Sequence, residues 1–600
     1  MIYAERLSEH DIRLLTVLPS QDDSAPITCE LHRYDVSAAP AYEGLSYAWG
    51  DPNVVATVAC NGIEVKVTES LRNALWRVRN IEEPKIIWAD ALCVNQSDIQ
   101  EKNVHVPLMG RVFSQATNTV IYLGEASQVD AVEAEAGVNT VWGLVGDSSQ
   151  RTSTSVDSPN AFHERILEML SGEPLPSLSW GSIEKLYNAA WFSRTWCVQE
   201  IMLARESALE SYVIYGQIQI PYKRVAVVAL FLVTAEKCGF NFARKLPLSS
   251  SIAVSSLDLL SQEKPNLTVI LALFLNHLAS DPRDKVYGVL GILLHRFGYD
   301  LEGIVVDYTK SVIQVYTETA VEIIRTQQNL ELLNYISHPA GVKCDSEPTW
   351  VPRWDRPLGW RMIVDSDGNF RSNCSASELK EGKVPISWEL QGDRLLVSGL
   401  QYELAARILP LASDANAEAT FVTYWKQTQM TRESCFDRQE ELFALARTFA
   451  IGRVATFVHF NKANDAQREA FMADFLAYVH LLVDRCCLKC PGRPEDDLYK
   501  VDANGTKRMG SANRYATRLR YGCQGRTFFE TTNGDYGIGP DYMHAGDIIV
   551  GILGGSSPFA LRAKEKDYLA LGPVYMDNLM DGKLFGGMLS KGMKKQFALL

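Results

Sequence analysis

The chain has 600 residues and a mass of 66.9 kDa, enough to bury a large core without disulfide or metal staples and to suggest about four domains. Its 46% hydrophobic and 22% charged residues are those of a folded protein and exclude extensive disorder. Fifty-nine Lys and Arg against 72 Asp and Glu give a net charge of −13, a field that opposes nucleic acid or an anionic membrane surface as the main partner.

Charges break the stretch from Met1 to Asp11 before an apolar run can form, so no signal peptide is expected. The apolar runs Val225 to Ala235 and Thr268 to Leu275 are too short to span a bilayer and read as buried helix segments. Twelve cysteines, scattered through the chain, fit a reducing compartment. The expectation is a cytoplasmic protein with no membrane span and no nucleic-acid partner.

Two strands open the chain, Ile12 to Leu18 and Ile27 to Val36, separated by the polar turn Ser20 to Pro26. A third, Glu43 to Tyr47, runs into Ala48-Trp49-Gly50-Asp51-Pro52, which stops it. A hairpin follows, Val55 to Cys60 and Ile63 to Val67. Its Asn61-Gly62 turn supplies the two positive-φ residues of a type I′ turn. Thr68 or Ser70 caps a helix through Leu71, Leu75 and Val78. Lys85 to Asp90 reads as a buried strand ending in an acid. Ser97 or Asp98 starts a helix to about Gln115, kinked or restarted at Pro107. Asn118 to Leu123 is a further strand, and this β-α-β rhythm predicts a partly parallel sheet with crossover helices.

Residues 147–160, rich in Ser, Thr, Asp and Gly, read as a surface insertion. A helix is expected from Ser182 to about Arg205, then a strand Tyr212 to Tyr215. From about 220 to 335 the pattern is mainly helical, interrupted at Pro282. Residues 340–400 are turn-rich, residues 415–485 read as long helices, and the tail from about 520 to 580 is β-rich, with a turn at Asn533-Gly534, and fits a small barrel. The expected divisions are 1–215, 216–340, 341–415, 416–515 and 516–600: an α/β domain, a mainly α-helical region, a mixed region, a helical insertion and a β-rich C-terminal domain.

Three segments concentrate aromatic, acidic and small polar residues. They are Tyr42-Glu-Gly-Leu-Ser-Tyr-Ala-Trp-Gly50, Ile87-Trp-Ala-Asp-Ala-Leu-Cys-Val-Asn-Gln96 and Trp191-Phe-Ser-Arg-Thr-Trp-Cys-Val-Gln-Glu200. In this order they resemble the three signature blocks of the heterokaryon incompatibility (HET) domain of filamentous fungi. Looser likenesses follow at Ser280 to Tyr287, Pro348 to Trp354, and Gly525 through Asp547. The resemblance implies a role in allorecognition or innate-immunity-like signalling that ends in cell death, with self-association and an unidentified protein partner.

Leu45-Ser-Tyr47 followed by Asp51, and Trp196-Cys-Val-Gln-Glu200, also resemble the first box and the Trp-Cys-x-x-Glu helix of TIR domains. Some TIR domains are NAD⁺ glycohydrolases. That likeness implies a flavodoxin-like sheet with an added hairpin, Glu200 as the catalytic glutamate, and NAD⁺ as substrate with no resident cofactor. The competing implication is a non-catalytic, self-associating interaction module.

The residues themselves leave alternatives open. Glu200 shares a helix face with Trp196, and a carboxylate aimed at a ribose stabilises an oxocarbenium-like state; a glutamate paired with Arg194 or Arg205 is the plainer alternative. Trp191 suits the core and Trp196 a pocket wall. Asp90, at the end of a strand, suits a base, a ribose contact or a helix cap equally. Ser46, Tyr47 and Asp51 sit at another strand end and suit the same crevice, with Tyr47 offering a hydroxyl and a stacking face; equally, Tyr47 and Trp49 suit the packing of a tight turn. Cys93 and Cys197 have no histidine fixed beside them and read as small buried hydrophobes. Cys487-Leu-Lys-Cys490 lacks the second pair that a four-ligand zinc site needs, so no metal is expected. Gly551 to Ser556 lacks the Lys-Ser/Thr of a P-loop.

Overall fold

In the computed structural model, residues 2–3, 5–145, 178–204, 211–237, 266–275, 277–338, 347–356, 386–411, 414–427, 439–455, 458–459, 463–486, 499–501, 507–580 and 583–600 are described. The insertion expected at 147–160, Arg205, and the pair Cys487 and Cys490 lie outside them. The chain divides into two compact units, Met1–Val315 and Tyr316–Leu600.

The first unit is built on a nine-stranded sheet of β1 (Asp11–Val17), β2 (Thr28–Asp35), β3 (Glu43–Tyr47), β4 (Val55–Cys60), β5 (Ile63–Thr68), β6 (Lys85–Trp88), β7 (Thr119–Gly124), β8 (Tyr212–Tyr215) and β9 (Ile218–Pro221). Their order across the sheet is β5-β4-β2-β1-β6-β3-β7-β8-β9. Within it β6, β3, β7 and β8 run parallel, while β1 pairs antiparallel with both β2 and β6. Numbering the parallel strands by sequence gives the order 2-1-3-4 of a flavodoxin-like sheet, whose ligand crevice lies outside the strand carboxyl ends where the order reverses. The fold is therefore the expected α/β arrangement.

The helices of this unit are α1 (Glu69–Val78), α2 (Asp90–Cys93), α3 (Ile99–Gln115), α4 (Gln128–Val145), α5 (Trp180–Tyr187), α6 (Thr195–Met202), α7 (Tyr222–Lys237), α8 (Leu267–Leu273) and α9 (Asp284–Gly291). Thr68 caps α1, accepting from the backbone N–H of Leu71, and Asp98 caps α3. The hairpin turn carries φ 51° at Asn61 and 74° at Gly62, the left-handed pair that a type I′ turn demands. Pro107 neither breaks nor restarts α3, which is continuous across it.

Buried apolar strand residues, among them Leu14, Leu15, Leu45, Ile87, Val120, Ile121 and Val213, form the sheet core. Trp88 meets Phe113 of α3 edge-on, with ring centroids 5.4 Å apart. One ion pair is locked inside: Arg13 of β1 donates to Glu101 of α3 at 2.6 and 3.1 Å, and Glu101 also accepts from the N–H of Asn95 at 2.7 Å. Breaking one side of such a buried pair typically costs about 3–5 kcal/mol.

One expectation fails in an informative way. The single helix expected from Ser182 to Arg205 is instead α5, a short 3₁₀ turn over Ala190–Ser193, and then α6. No proline or glycine forces the break. Arg194 is extended (φ −91°, ψ 138°) because the backbone here pairs with Leu278: Thr195 N–H donates to the Leu278 carbonyl at 3.0 Å, and Leu278 N–H returns to Ser193. Tertiary pairing overrides local helix preference.

α10 (Val312–Gln327) leads into the second unit. There the strands are β10 (Trp388–Gln391), β11 (Arg394–Pro410), β12 (Arg453–Ala455), β13 (Val458–His459), β14 (Tyr499–Val501), β15 (Lys507–Met509), β16 (Arg526–Thr531), β17 (Tyr536–Pro540), β18 (Ile548–Ile552), β19 (Pro558–Lys564), β20 (Asp567–Pro573) and β21 (Lys595–Leu599). β11, β18, β19, β20 and β21 are joined in sequence, and β21 pairs back onto β11, which closes a small barrel. β16 and β17 extend from β11.

Phe529 of β16 packs with Leu400, Ile549, Leu571 and Met576 in one core. Its neighbour Phe528 points the other way, into a second core with Phe421, Phe449, Phe475 and Tyr515, as strand alternation requires. That second core is contributed by helices α11 (Asp414–Gln427), α12 (Gln439–Phe449), α13 (Asp465–Cys486) and α14 (Ala512–Cys523). A last helix, α15 (Lys583–Ser590), precedes β21. No described helix is long and apolar enough to cross a membrane.

Candidate active site

Two parallel strands and one helix deliver the polar cluster. Ser46 and Tyr47 end β3, Asp90 follows β6 and opens α2, and Glu200 lies on α6 just before the chain returns to β8. These are the carboxyl ends of the first two parallel strands, beside the point where the strand order reverses.

Glu200 is only 5% exposed. The Ser46 hydroxyl donates to its Oε2, and Trp191 donates its indole N–H to Ser46 Oγ at 2.7 Å. Among the described residues no donor reaches the other Glu200 oxygen. Burial is the largest influence on this carboxyl and the field of Asp90 adds to it; Arg194 and the Ser46 bond oppose them, and the result is a pKa of about 7. A carboxyl with a pKa near neutrality is the kind of group that acid–base or charge-stabilising chemistry uses.

Asp90 keeps an exposed edge, yet protein surrounds most of it, and that desolvation pushes its carboxyl up. Trp49 donates to Asp90 Oδ2 at 2.9 Å and the Ala91 N–H to Oδ1 at 2.8 Å, while Gln96 holds the Asp90 carbonyl at 2.9 Å. The Tyr47 hydroxyl is buried beside Asp90 in no well-formed hydrogen bond. Between the two acids stands Arg194. It anchors on the Tyr47 carbonyl and lies in the field of Glu200 and Asp90, with no ion pair to either among the described residues. The break before α6 is what allows this: it turns Trp191 and Arg194 toward β3 while Glu200 arrives between one and two helical turns later.

Ser46, Tyr47, Asp90 and Glu200 are thus brought together. Asp51 and Trp196 lie apart from that cluster. Asp51 is exposed and accepts from the N–H and side chain of Asn53, both at 2.9 Å, closing its own turn. Trp196 donates its indole N–H to Asp284 at 3.0 Å, on the side of α6 that packs on α9. Trp191, which the sequence assigns to the core, is fully buried and also holds Ser46. Arg194, which the sequence offers only as a partner of Glu200, and Trp49, which it offers only as packing, complete the cluster; their signal was position within the blocks, between residues already singled out. Cys93 and Cys197 are buried, and burial raises both thiols, Cys93 to about 12, so neither is a ready nucleophile.

The three blocks that build this cluster are the ones that define a family. Residues 42–200 match the heterokaryon incompatibility protein (HET) family, and residues 497–599 match the Het-6 β-barrel domain. Over 96% of its length the chain is 25% identical to heterokaryon incompatibility protein 6, OR allele, of Neurospora crassa, covering 94% of that relative. The chain carries a HET domain followed by a Het-6 β-barrel domain. No solved structure matches it.

Outside the signature blocks of its HET domain, the chain holds α6 with a second polar set. Asp284 accepts from Trp196 and, at 2.6 Å, from the Tyr308 hydroxyl. Gln199, the neighbour of Glu200, accepts from the Gly291 N–H at 3.1 Å. A Cβ at Gly291 would lie 2.7 Å from the Gln199 amide, so only glycine allows this approach. Lys285 is buried with its ammonium on the carbonyls of Phe274, Leu275 and His277. Asp284 and Gly291, at the two ends of α9, therefore clamp the glutamate-bearing helix. Among the described residues no cluster of metal-ligating side chains occurs.

Proposed function

We propose that this HET protein acts in allorecognition that ends in cell death, and that its HET domain hydrolyses NAD⁺. The Neurospora crassa relative is a heterokaryon incompatibility protein, which supports the first part. The second rests on one observation: a carboxyl pushed up toward neutrality by burial, against the pull of Arg194, and held by Ser46, at the carboxyl ends of parallel strands in a flavodoxin-like sheet. The likeness of Trp196-Cys-Val-Gln-Glu200 to the TIR glutamate helix points the same way.

In this reading the bond between ribose C1′ and the nicotinamide nitrogen breaks. Its electron pair leaves with nicotinamide, which departs neutral. Ionised Glu200 faces the positive charge that develops on the ribose, where a dry setting strengthens the attraction. Water then adds at C1′ and gives its proton to the carboxylate or to solvent. Arg194 keeps the two acids from repelling each other, Tyr47 offers a hydroxyl and a ring face, and Asp90 holds ribose hydroxyls. NAD⁺ is the substrate, and the chain needs no resident cofactor. The protein self-associates, Trp196 braces the glutamate-bearing helix through Asp284, and Asp51 closes its own turn. The protein works in the cytoplasm with an unidentified protein partner.

The test mixes oligomerised full-length protein with NAD⁺ and follows nicotinamide. The parent releases it and Glu200→Gln does not; equal release by both overturns the assignment. A second reading draws on the Trp191–Ser46–Glu200 chain of hydrogen bonds, which equally suits a carboxyl that only braces the fold of a non-catalytic, self-associating module. That reading expects no turnover under any condition and cell death that survives Glu200→Ala.

A further inference from the structure

β5 is the outer strand of the nine-stranded sheet, and among the described residues it pairs only with β4. The opposite edge, β9, is short and ends at Pro221, where α7 follows. An unprotected edge is a template for another strand, and proteins usually blunt it with charges that cannot be matched. Here the charges are of both signs and symmetrically placed. The sequence Ile63-Glu64-Val65-Lys66-Val67 has Val65 at its centre, an acid on one side, a base on the other, and an apolar residue beyond each. Glu64 and Lys66 are exposed, and among the described residues neither has a charged partner. Ile63 is 42% exposed.

The backbone has the matching polarity. The N–H groups of Ala59 and Asn61 point to β2, so those of Val58 and Cys60 face β5 and bond to Val65 and Ile63. The N–H and C=O groups of Glu64 and Lys66 therefore point outward from the sheet edge. If a second β5 lies antiparallel with Val65 opposite Val65, Glu64 of each chain exchanges main-chain hydrogen bonds with Lys66 of the other. Each of those pairs also sets an acid opposite a base, and Ile63 meets Val67. All of these matches arise from one twofold axis, as a closed dimer requires.

We infer that β5 is the surface through which two copies of this chain associate, by edge-to-edge pairing centred on Val65. The inference rests on the self-association included in the proposed function and names its site. Its readout is mass in solution, not turnover, so it stands or falls separately from the hydrolase reading.

Sedimentation of the full chain gives a concentration-dependent dimer. Glu64→Lys or Lys66→Glu places like charges opposite each other twice and raises the dissociation constant about tenfold or more. The double exchange Glu64→Lys/Lys66→Glu restores the parental constant. Mixing the two single variants yields a heterodimer tighter than either variant's self-association. Circular dichroism and the thermal midpoint, unchanged at these exposed sites, show that each variant is folded. A parent that stays monomeric, single variants that dimerise like the parent, or a double exchange that fails to restore pairing each overturns the inference.

Discussion

Replacing Glu200 with glutamine isolates the cost of keeping that carboxyl indoors. Burial, with Asp90 assisting, raises its pKa from 4.5 to about 7. Between those values the folded chain holds a proton that the unfolded chain has released. The stabilisation is complete below pH 4.5, falls as pH rises, and is gone above about 7. The gap corresponds to roughly 3 kcal/mol as an upper bound. Glutamine keeps the oxygen that accepts from Ser46 and cannot ionise. The variant therefore gains on the parent as pH rises: the two melt alike near pH 5, and by pH 8 Glu200→Gln melts higher by on the order of 5 °C in the transition of the first unit. Calorimetry from pH 5 to 8.5 measures this directly. A difference that stays flat with pH, or shrinks, refutes the account of Glu200 as a desolvated acid.

Three further changes probe its surroundings. Arg194→Met removes the cation between two acids, so the pH window found above moves to more alkaline values and the Tyr47 carbonyl loses its anchor; the same calorimetric series detects the move. Asp284→Asn leaves one acceptor oxygen for two donors, Trp196 and Tyr308, and costs about 1–3 kcal/mol, seen as a lower melting midpoint with altered tryptophan fluorescence. Gly291→Ala drives a methyl into Gln199 and costs about 1–3 kcal/mol. Adding Gln199→Ala recovers part of that loss, whereas strictly additive losses contradict the close-packing explanation.

How much of this could be read beforehand follows from what each residue answers to. The strands β1 to β7 obey two-residue alternation, short apolar runs and an Asn-Gly turn, all local signals, and they form where the sequence puts them. Ser46 and Asp90 were legible because each sits at the end of such a strand within a dense block, and Glu200 because it closes the third block. The break at Arg194 was not, since its cause is a backbone pairing with Leu278, more than eighty residues away. For the same reason Trp196 could not be assigned a neighbour: its helix spacing from Glu200 is right, but Asp284 decides which way the indole turns. Pro107 shows the converse, a strong local breaker that the helix simply absorbs. In the second unit β11 crosses a turn-rich stretch and takes partners from four other strands, a role that no property of its own residues announces.

The segment shared with the family begins at residue 42, yet β1 and β2 precede it and lie inside the sheet, and β8 and β9 come after it. Anyone excising residues 42–200 for expression would strip both flanks at once, baring β6 and β7 and stranding the Glu101 carboxylate without Arg13. Such a fragment should aggregate or stay unfolded, and its silence in an assay would say nothing about chemistry. What recurs among relatives and what folds by itself have different ends here; a useful truncation must keep β1 and β2 on one side and β8 and β9 on the other.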